Sequence, residues 1–241
     1  MLSGAATLPL RAVPESTSAL VPSIAPLPTF RDSNGLWENH SWQEVASPRG
    51  WRDNPVLVLK FYNERRRRAW EAQPNAAHLA LARLQERYEV VVVTQNIDEL
   101  HERAGSKHVI HVHGELAYAR SEANERLRVR IGGEPIEMGQ FASDSRQLRP
   151  DVVWFGEQVR HFDESVQHVM TAGIVLVVGT SLSVFPAASL AEYASDDAER
   201  ILVSLDVAKP PLGFKRYSNE ATAAVPALVD EWLARAELNE S

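Results

Sequence analysis

Tyr88-Glu-Val-Val-Val-Val-Thr94 runs straight into Gln95-Asn96-Ile97-Asp98, and ten residues later Val109-Ile110-His111-Val112 ends in His113-Gly114. A short, continuous β-branched run fits a strand covered on both faces of a parallel sheet, and in open α/β sheets ligands sit just beyond the carboxyl ends of such strands. Polar side chains without periodicity collect at that place here. An amide pair, an aspartate and a histidine beside a glycine can bind a polar ligand and move a proton.

The same pattern recurs downstream. Ile174 to Val178 is a second buried run, ending in Gly179-Thr180-Ser181, and Ile201-Leu-Val-Ser-Leu205 is a further strand. Pro186 stands where the first turn of a helix follows. Backbone amides of such a glycine loop suit phosphate or ribose oxygens, although a plain strand-to-helix turn fits the loop equally well. Asn54-Pro55 is a cap followed by proline and opens a helix through Val56, Leu57, Leu59, Phe61 and Tyr62 to Trp70. Pro74-Asn75 caps the next helix, over residues 76–86, with Leu81 and Leu84 one turn apart, and residues 225–236 form a closing amphipathic helix. Strands alternating with helices predict an α/β domain with a parallel sheet. No GxGxxG fingerprint is present, so the usual redox dinucleotide loop is unsupported.

Two segments break the alternation. Trp37, Trp42, Trp51 and Trp70 crowd a stretch that reads as a compact helical module over residues 33–73. Later, Arg126-Leu-Arg-Val-Arg-Ile131 alternates strictly before Gly132-Gly133, which reads as a half-exposed hairpin in an inserted module over residues 116–149. The main domain is then assembled from residues 1–32, 74–115 and 150–241, and Pro150 to Glu157 resumes an extended character.

At 241 residues, with 44% hydrophobic and 24% charged, the chain can bury the core of one large domain carrying a smaller insertion. A net charge of −7 provides no basic footprint for nucleic acid, and no apolar run approaches the roughly 20 residues of a membrane helix. The reading is a cytoplasmic protein with neither nucleic acid nor membrane as partner. The absence of cysteine excludes disulfides, thiolate nucleophiles and Cys-ligated zinc. His78 reads as a core histidine. At the amino terminus, four prolines in the first 26 residues do not make a secretion signal, and residues 7–27 have the Pro, Ser and Ala composition of a loop.

Five strings in order carry a resemblance. Pro28-Thr29-Phe30-Arg31, Thr94-Gln95-Asn96-Ile97-Asp98 with Leu100-His101 and Ala104-Gly105, His113-Gly114, Val153-Trp154-Phe155-Gly156-Glu157, and Gly179-Thr180-Ser181 with Val184 and Pro186-Ala187-Ala188 are similar to the motifs of the sirtuin family of NAD-dependent protein deacylases. The likeness is strongest to its bacterial class III branch. It implies a Rossmann-like parallel sheet with a smaller inserted module, and a reaction in which NAD is consumed as co-substrate rather than reduced. The acyl group of a modified lysine on another protein passes to ADP-ribose as nicotinamide leaves. His113 would be the base acting on a ribose hydroxyl, a role suited to a group whose pKa lies near the operating pH. Asn96 and Asp98, with Ile97, would hold nicotinamide, and Gln95 the ribose. Gly4, Ala5, Phe30, Arg31, Gly179, Thr180, Ser181, Ser204 and Ala221 complete the cofactor set that the resemblance implies, and Val153, Phe155 and Gly156 would meet the substrate.

Tyr62 and Arg65 match the pair with which class III sirtuins bind acidic acyl groups, and their spacing puts them on one helix face. A guanidinium can take a carboxylate bidentately while the phenol donates a third hydrogen bond, so succinyl-lysine and malonyl-lysine are expected beside acetyl-lysine. By spacing alone, the run Arg65 to Arg68 reads as a solvated helix surface. Three departures from the family stand out. Its four zinc cysteines are missing, and the corresponding segment carries Ser121, Ser143 and Ser145, so no zinc is expected and the hairpin must be held by its own packing. Gly4-Ala5 follows no strand and lies far before Pro28, which predicts weakened NAD binding. The asparagine usual after the late strand is Ser204. Beside an active deacylase, these departures leave open a sirtuin-fold binding protein that has lost turnover through its altered first loop.

Overall fold

The computed structural model describes residues 16–21, 40–180, 182, 184–205, 207 and 210–239. In chain order its strands are β1 (Ser16–Val21), β2 (Glu89–Thr94), β3 (Val109–His111), β4 (Gly114–Ser121), β5 (Arg128–Arg130), β6 (Leu148–Val152), β7 (Ile174–Val178), β8 (Glu199–Val203) and β9 (Lys215–Tyr217). Its α-helices are α1 (Trp42–Val45), α2 (Pro48–Asp53), α3 (Pro55–Glu71), α4 (Ala76–Leu84), α5 (Leu100–Ala104), α6 (Phe162–Thr171) and α7 (Ala221–Asn239), and a 3₁₀ helix covers Ala187–Tyr193. No helix among the described residues is long and apolar enough to cross a membrane.

The four valines of β2 face two different cores. Val90 and Val92 pack with Leu81 and Leu84 of α4 and Val229 and Trp232 of α7, whereas Val91 and Val93 pack with Val166 and Val169 of α6. Alternation across a pleated strand produces this split, and helices on both faces make the strand apolar throughout. The main sheet has the order β3-β2-β1-β7-β8-β9, every neighbouring pair parallel. The winding reverses between β1 and β7, so the crevice beyond their carboxyl ends is the place where open sheets of this kind bind ligands.

β1 corrects the expectation of a loop over residues 7–27. Ser16-Thr-Ser-Ala-Leu-Val21 lies between β2 and β7, with Leu20 opposite Val93 on one side and Val177 on the other. Its serines and flanking prolines look like turn sequence. What makes it a strand is two ready-made neighbours, a tertiary cause invisible in local composition. Gly4, Ala5, Phe30 and Arg31 lie outside the described residues.

The helical segment follows its local signals. Asn54 caps α3 by accepting from the Leu57 amide at 3.1 Å, Pro55 is its first residue, and Val58, Leu59, Phe61, Tyr62, Arg66 and Ala69 form the buried face. Arg66 therefore departs from the solvated run expected of residues 65–68. It lies one turn after Tyr62 and points inward, donating from Nε to the Leu116 carbonyl at 2.6 Å and from Nη1 to Asn63 Oδ1 at 2.7 Å. Arg67 and Arg68 stay outside, paired with Glu64.

A second sheet, β5-β4-β6, is antiparallel. The hairpin is real, but its geometry differs from the sequence reading: β5 pairs with the preceding β4 through a connection over residues 122–127, not across Gly132-Gly133. That glycine pair seats Trp70, whose Cγ would lie 2.8 Å from a Cβ at Gly133. The extended stretch begun at Pro150 ends as a strand at Val152, and Glu157 turns back to the Trp154 carbonyl at 2.9 Å.

This small sheet is fastened by side-chain hydrogen bonds. Ser121, fully buried, donates to Asp144 Oδ2 at 2.7 Å and accepts from the amides of Ala123 and Asn124 at 3.1 and 3.2 Å. Gln147 accepts from the Gly139 amide at 2.8 Å and donates to the Glu137 and Leu148 carbonyls, each at 3.0 Å. Buried Asp151 meets Arg160 at 2.6 Å and Arg128 at 3.1 Å. Gln147→Ala, which strands buried backbone groups around residues 137–148, is expected to cost about 1–3 kcal/mol in urea unfolding. A loss under about 0.5 kcal/mol, the scatter of neutral surface changes, would show that the loop holds without it.

Candidate functional site

The carboxyl ends of β2, β3, β7 and β8 gather the polar residues. After β2 the chain is held turn by turn: the Asn96 amide donates to Thr94 Oγ1 at 3.0 Å, the Leu116 amide to the Ile97 carbonyl at 2.7 Å, and the Leu100 amide to Asp98 Oδ1 at 3.1 Å, which starts α5. His111 clamps this loop from β3, with Nδ1 3.0 Å from the Asn96 carbonyl and Nε2 2.7 Å from Glu102 Oε1. Both partners are acceptors in their ordinary states, a setting that favours the doubly protonated ring. Burial pulls its pKa down, but the Glu102 carboxylate more than offsets this and holds it above the ordinary value.

His113 is tied differently. Its Nδ1 lies 3.2 Å from the Gln95 carbonyl, which can only accept, so this nitrogen carries the proton and Nε2 keeps its lone pair. Burial lowers its pKa and outweighs the opposing bond to Gln95, leaving a neutral imidazole at pH 7. The backbone explains the glycine that follows. The His113 carbonyl accepts from the Val153 amide at 2.9 Å, drawing the small sheet close, and a Cβ on Gly114 (φ +78°) would stand 2.1 Å from the Asp151 carbonyl oxygen. His113 thus sits at the seam between the two sheets.

Beside it, Asn96 Nδ2 is buried without a hydrogen-bond partner among the described residues, an exception to the rule that such donors are satisfied. Asp98 is buried too, and burial raises its pKa above the ordinary carboxyl value. On the β7 side, the Gly179 amide (φ 64°) donates to the Val203 carbonyl at 2.9 Å, Thr180 Oγ1 accepts from the Leu182 amide at 2.8 Å, and Ser204 Oγ donates to the Thr180 carbonyl at 3.0 Å. Ser204 therefore joins the two strand-end loops. A hollow between the loops is lined by Val93, Gln95, Val112, Val177, Leu182 and Leu190 among others. Ala221 is the first residue of α7, and Ser181 lies outside the described residues.

The segment 153–157 meets the helical part. The Phe155 amide donates to the Ala46 carbonyl at 3.0 Å, and its exposed ring lies 4.8 Å from that of Trp42. Gly156, at φ 92°, makes the turn. Tyr62 is only 2% exposed, and its hydroxyl accepts from Trp154 Nε1 at 3.1 Å while retaining its own proton to donate. Burial raises the Tyr62 pKa, partly offset by the Trp154 bond and by the nearby charge of Arg65. Arg65, half-buried, lies over the Phe61 ring at 4.6 Å.

Two supporting pairs escaped the sequence reading. One is His111 with Glu102. The other is Arg149 with Glu157, at 2.7 and 3.1 Å, whose carboxylate also accepts from the Trp154 amide at 2.8 Å and so fixes the 153–157 turn. Glu157 closes the motif quoted above, the one signal that pointed to it. A third pair matters for stability. His78 and His101 are fully buried with rings 4.6 Å apart, and burial depresses their pKa values to about 4 and about 3. The unfolded chain takes up protons below its ordinary value of about 6.5 while the native pair stays neutral, so stability is lost as pH falls through that range. Between pH 7 and pH 5 the loss is on the order of 2–4 kcal/mol for the pair at about 1.4 kcal/mol per unit. His111, shifted upward, works in the opposite sense, so the comparison is between proteins: His101→Leu should lose less stability on acidification than the parent, and parallel curves in urea would refute the assignment.

The chain matches the Sir2 family over residues 21–186. It is 52% identical over 170 residues to an NAD-dependent protein deacylase of Helicobacter pylori, covering 70% of this chain and 72% of that protein. Over 242 residues it is 40% identical to an NAD-dependent protein deacylase of Vibrio vulnificus, covering 96% and 97%. The fold superposes on a solved Sir2 homologue mutant in complex with ADP-ribose with a TM-score of 0.84, at 32% identity and covering 93% of this chain and 94% of that one.

Proposed function

Because this chain belongs to the Sir2 family and is an NAD-dependent protein deacylase, we propose that His113 is its catalytic base and that it removes succinyl and malonyl as well as acetyl groups from lysine side chains of other proteins. The observation that carries this reading is the state of His113: a neutral ring whose Nδ1 is occupied by Gln95 and whose Nε2 is left to accept a proton. NAD supplies the ribose that receives the acyl group and the nicotinamide that leaves. The residues fit it, since the buried Nδ2 of Asn96, without a partner among the described residues, suits a carboxamide oxygen, and the buried carboxyl of Asp98, two residues on, a carboxamide N–H. Gln95 is assigned to the ribose, and Gly179, Thr180 and Ser204 to the part of NAD that lies across the β1/β7 switch.

Substrate would approach along Val153, Phe155 and Gly156, with the acyl end directed to α3. There Tyr62 offers a hydroxyl proton and Arg65 a half-buried cation, a pair that complements a terminal carboxylate. The direct test is to incubate the protein with NAD and paired acetyl-lysine and succinyl-lysine peptides. Nicotinamide and free lysine peptide are expected from both, without NADH absorbance. Nicotinamide release that does not depend on an acylated peptide would overturn the reading.

A further inference from the structure

At the amino end of β3, the edge of the main sheet away from His113, a second group of ionisable side chains converges. His108 immediately precedes β3, and Glu164 and His168 lie one turn apart on α6, hence on one face. One ligand atom from each lies within 4.8 Å of the others. The His108 and His168 rings meet edge to face, 5.1 Å between centroids. His161, which precedes α6, bonds Glu164 Oε2 through Nδ1 at 2.8 Å and so orients that carboxylate. His108 and Glu164 are exposed and His168 is half-buried, so an ion reaches them from solvent.

We propose that His108, Glu164 and His168 form a binding site for a divalent transition-metal ion of the zinc type, separate from the catalytic centre. Two imidazole nitrogens and one carboxylate oxygen suit zinc, cobalt or nickel, whereas magnesium and calcium take oxygen ligands. Ligands about 2.1 Å from one ion stand no more than about 4.2 Å apart, so the group must close slightly, which rotation of exposed side chains allows. Three protein ligands leave a position for water, as in exchangeable rather than closed structural sites. The site is unrelated to the thiolate module whose cysteines the chain lacks. Its ion ties α6, which leads to β7, to the segment that leads into β3 and on to His113.

The test uses the full, untagged chain after chelator treatment, titrated with zinc chloride by calorimetry and with cobalt chloride by visible absorption. One ion per chain is expected, with a rise in thermal midpoint that magnesium chloride does not reproduce. His108→Asn and His168→Asn should each weaken zinc binding at least about tenfold, the scale on which metal sites respond to altered ligands. Glu164→Gln, a change at an exposed position, serves as a third probe should either histidine variant fold poorly. No saturable zinc binding by the parent, or unchanged affinity in the well-folded variants, overturns the proposal.

Discussion

Replacing His113 with alanine is expected to lower kcat/KM for deacylation by at least about a hundredfold, the usual contribution of a positioned base. The expectation rests on how completely the ring is prepared. Gln95 fixes the tautomer, burial keeps the ring neutral, and Gly114 lets the small sheet come within hydrogen-bond distance of the His113 carbonyl. The pH profile supplies an independent check. A base must be unprotonated to act, and the pKa of His113 is depressed, so the acid limb of kcat/KM should lie below the ordinary histidine value and activity should fall only as pH drops through the depressed one. A purely structural role predicts otherwise: the variant would lose stability in urea through the missing Gln95 bond yet retain turnover while folded. Near-normal turnover in folded His113→Ala would sink the assignment.

The second large effect concerns acyl choice. Arg65→Met is expected to cost succinyl substrates on the order of 2–5 kcal/mol of transition-state binding while leaving acetyl substrates largely unaffected. Arg65 is a clean probe because its neighbours are committed elsewhere: Arg66 to the Leu116 carbonyl, and Arg67 and Arg68 to Glu64. Methionine is shorter and apolar, so it leaves an unbranched stem on the helix and removes the guanidinium, with its charge, its donors and its place over the Phe61 ring. Tyr62 is a poorer probe, since Tyr62→Phe would strand the buried indole N–H of Trp154 and confuse stability with recognition. The measurement is kcat/KM for paired acetyl and succinyl peptides with both proteins. Equal losses on the two substrates would mean that Arg65 supports the helix rather than reads the acyl group.

What could be read in advance follows a physical division. β2, β7 and α3 were legible because their causes are local: unbroken apolar, mostly β-branched runs, and a cap followed by proline. β1 was not, because Ser16-Thr-Ser-Ala-Leu-Val21 becomes a strand only between two neighbours distant in sequence. The partner of β5 was misassigned for a related reason, since alternation marks a half-exposed strand without saying which strand it joins. α6 raised no expectation at all, and with it His161, Glu164 and His168 went unremarked. At the site, the motifs named His113, Asn96 and Asp98 in order, but the orphaned amide of Asn96 and the Glu102 clamp on His111 exist only once β2, β3 and α5 are brought together.

The knot of Ser121 with Asp144 and Gln147 with its loop has a chemical corollary. The bonds that sew this module together run between hydroxyl, carboxylate and amide groups, with no thiolate among them for peroxide to oxidise or an electrophile to alkylate. Oxidation that dismantles thiolate-bound modules would therefore leave these fastenings in place, and β6 would go on delivering Val153 to the carbonyl of His113.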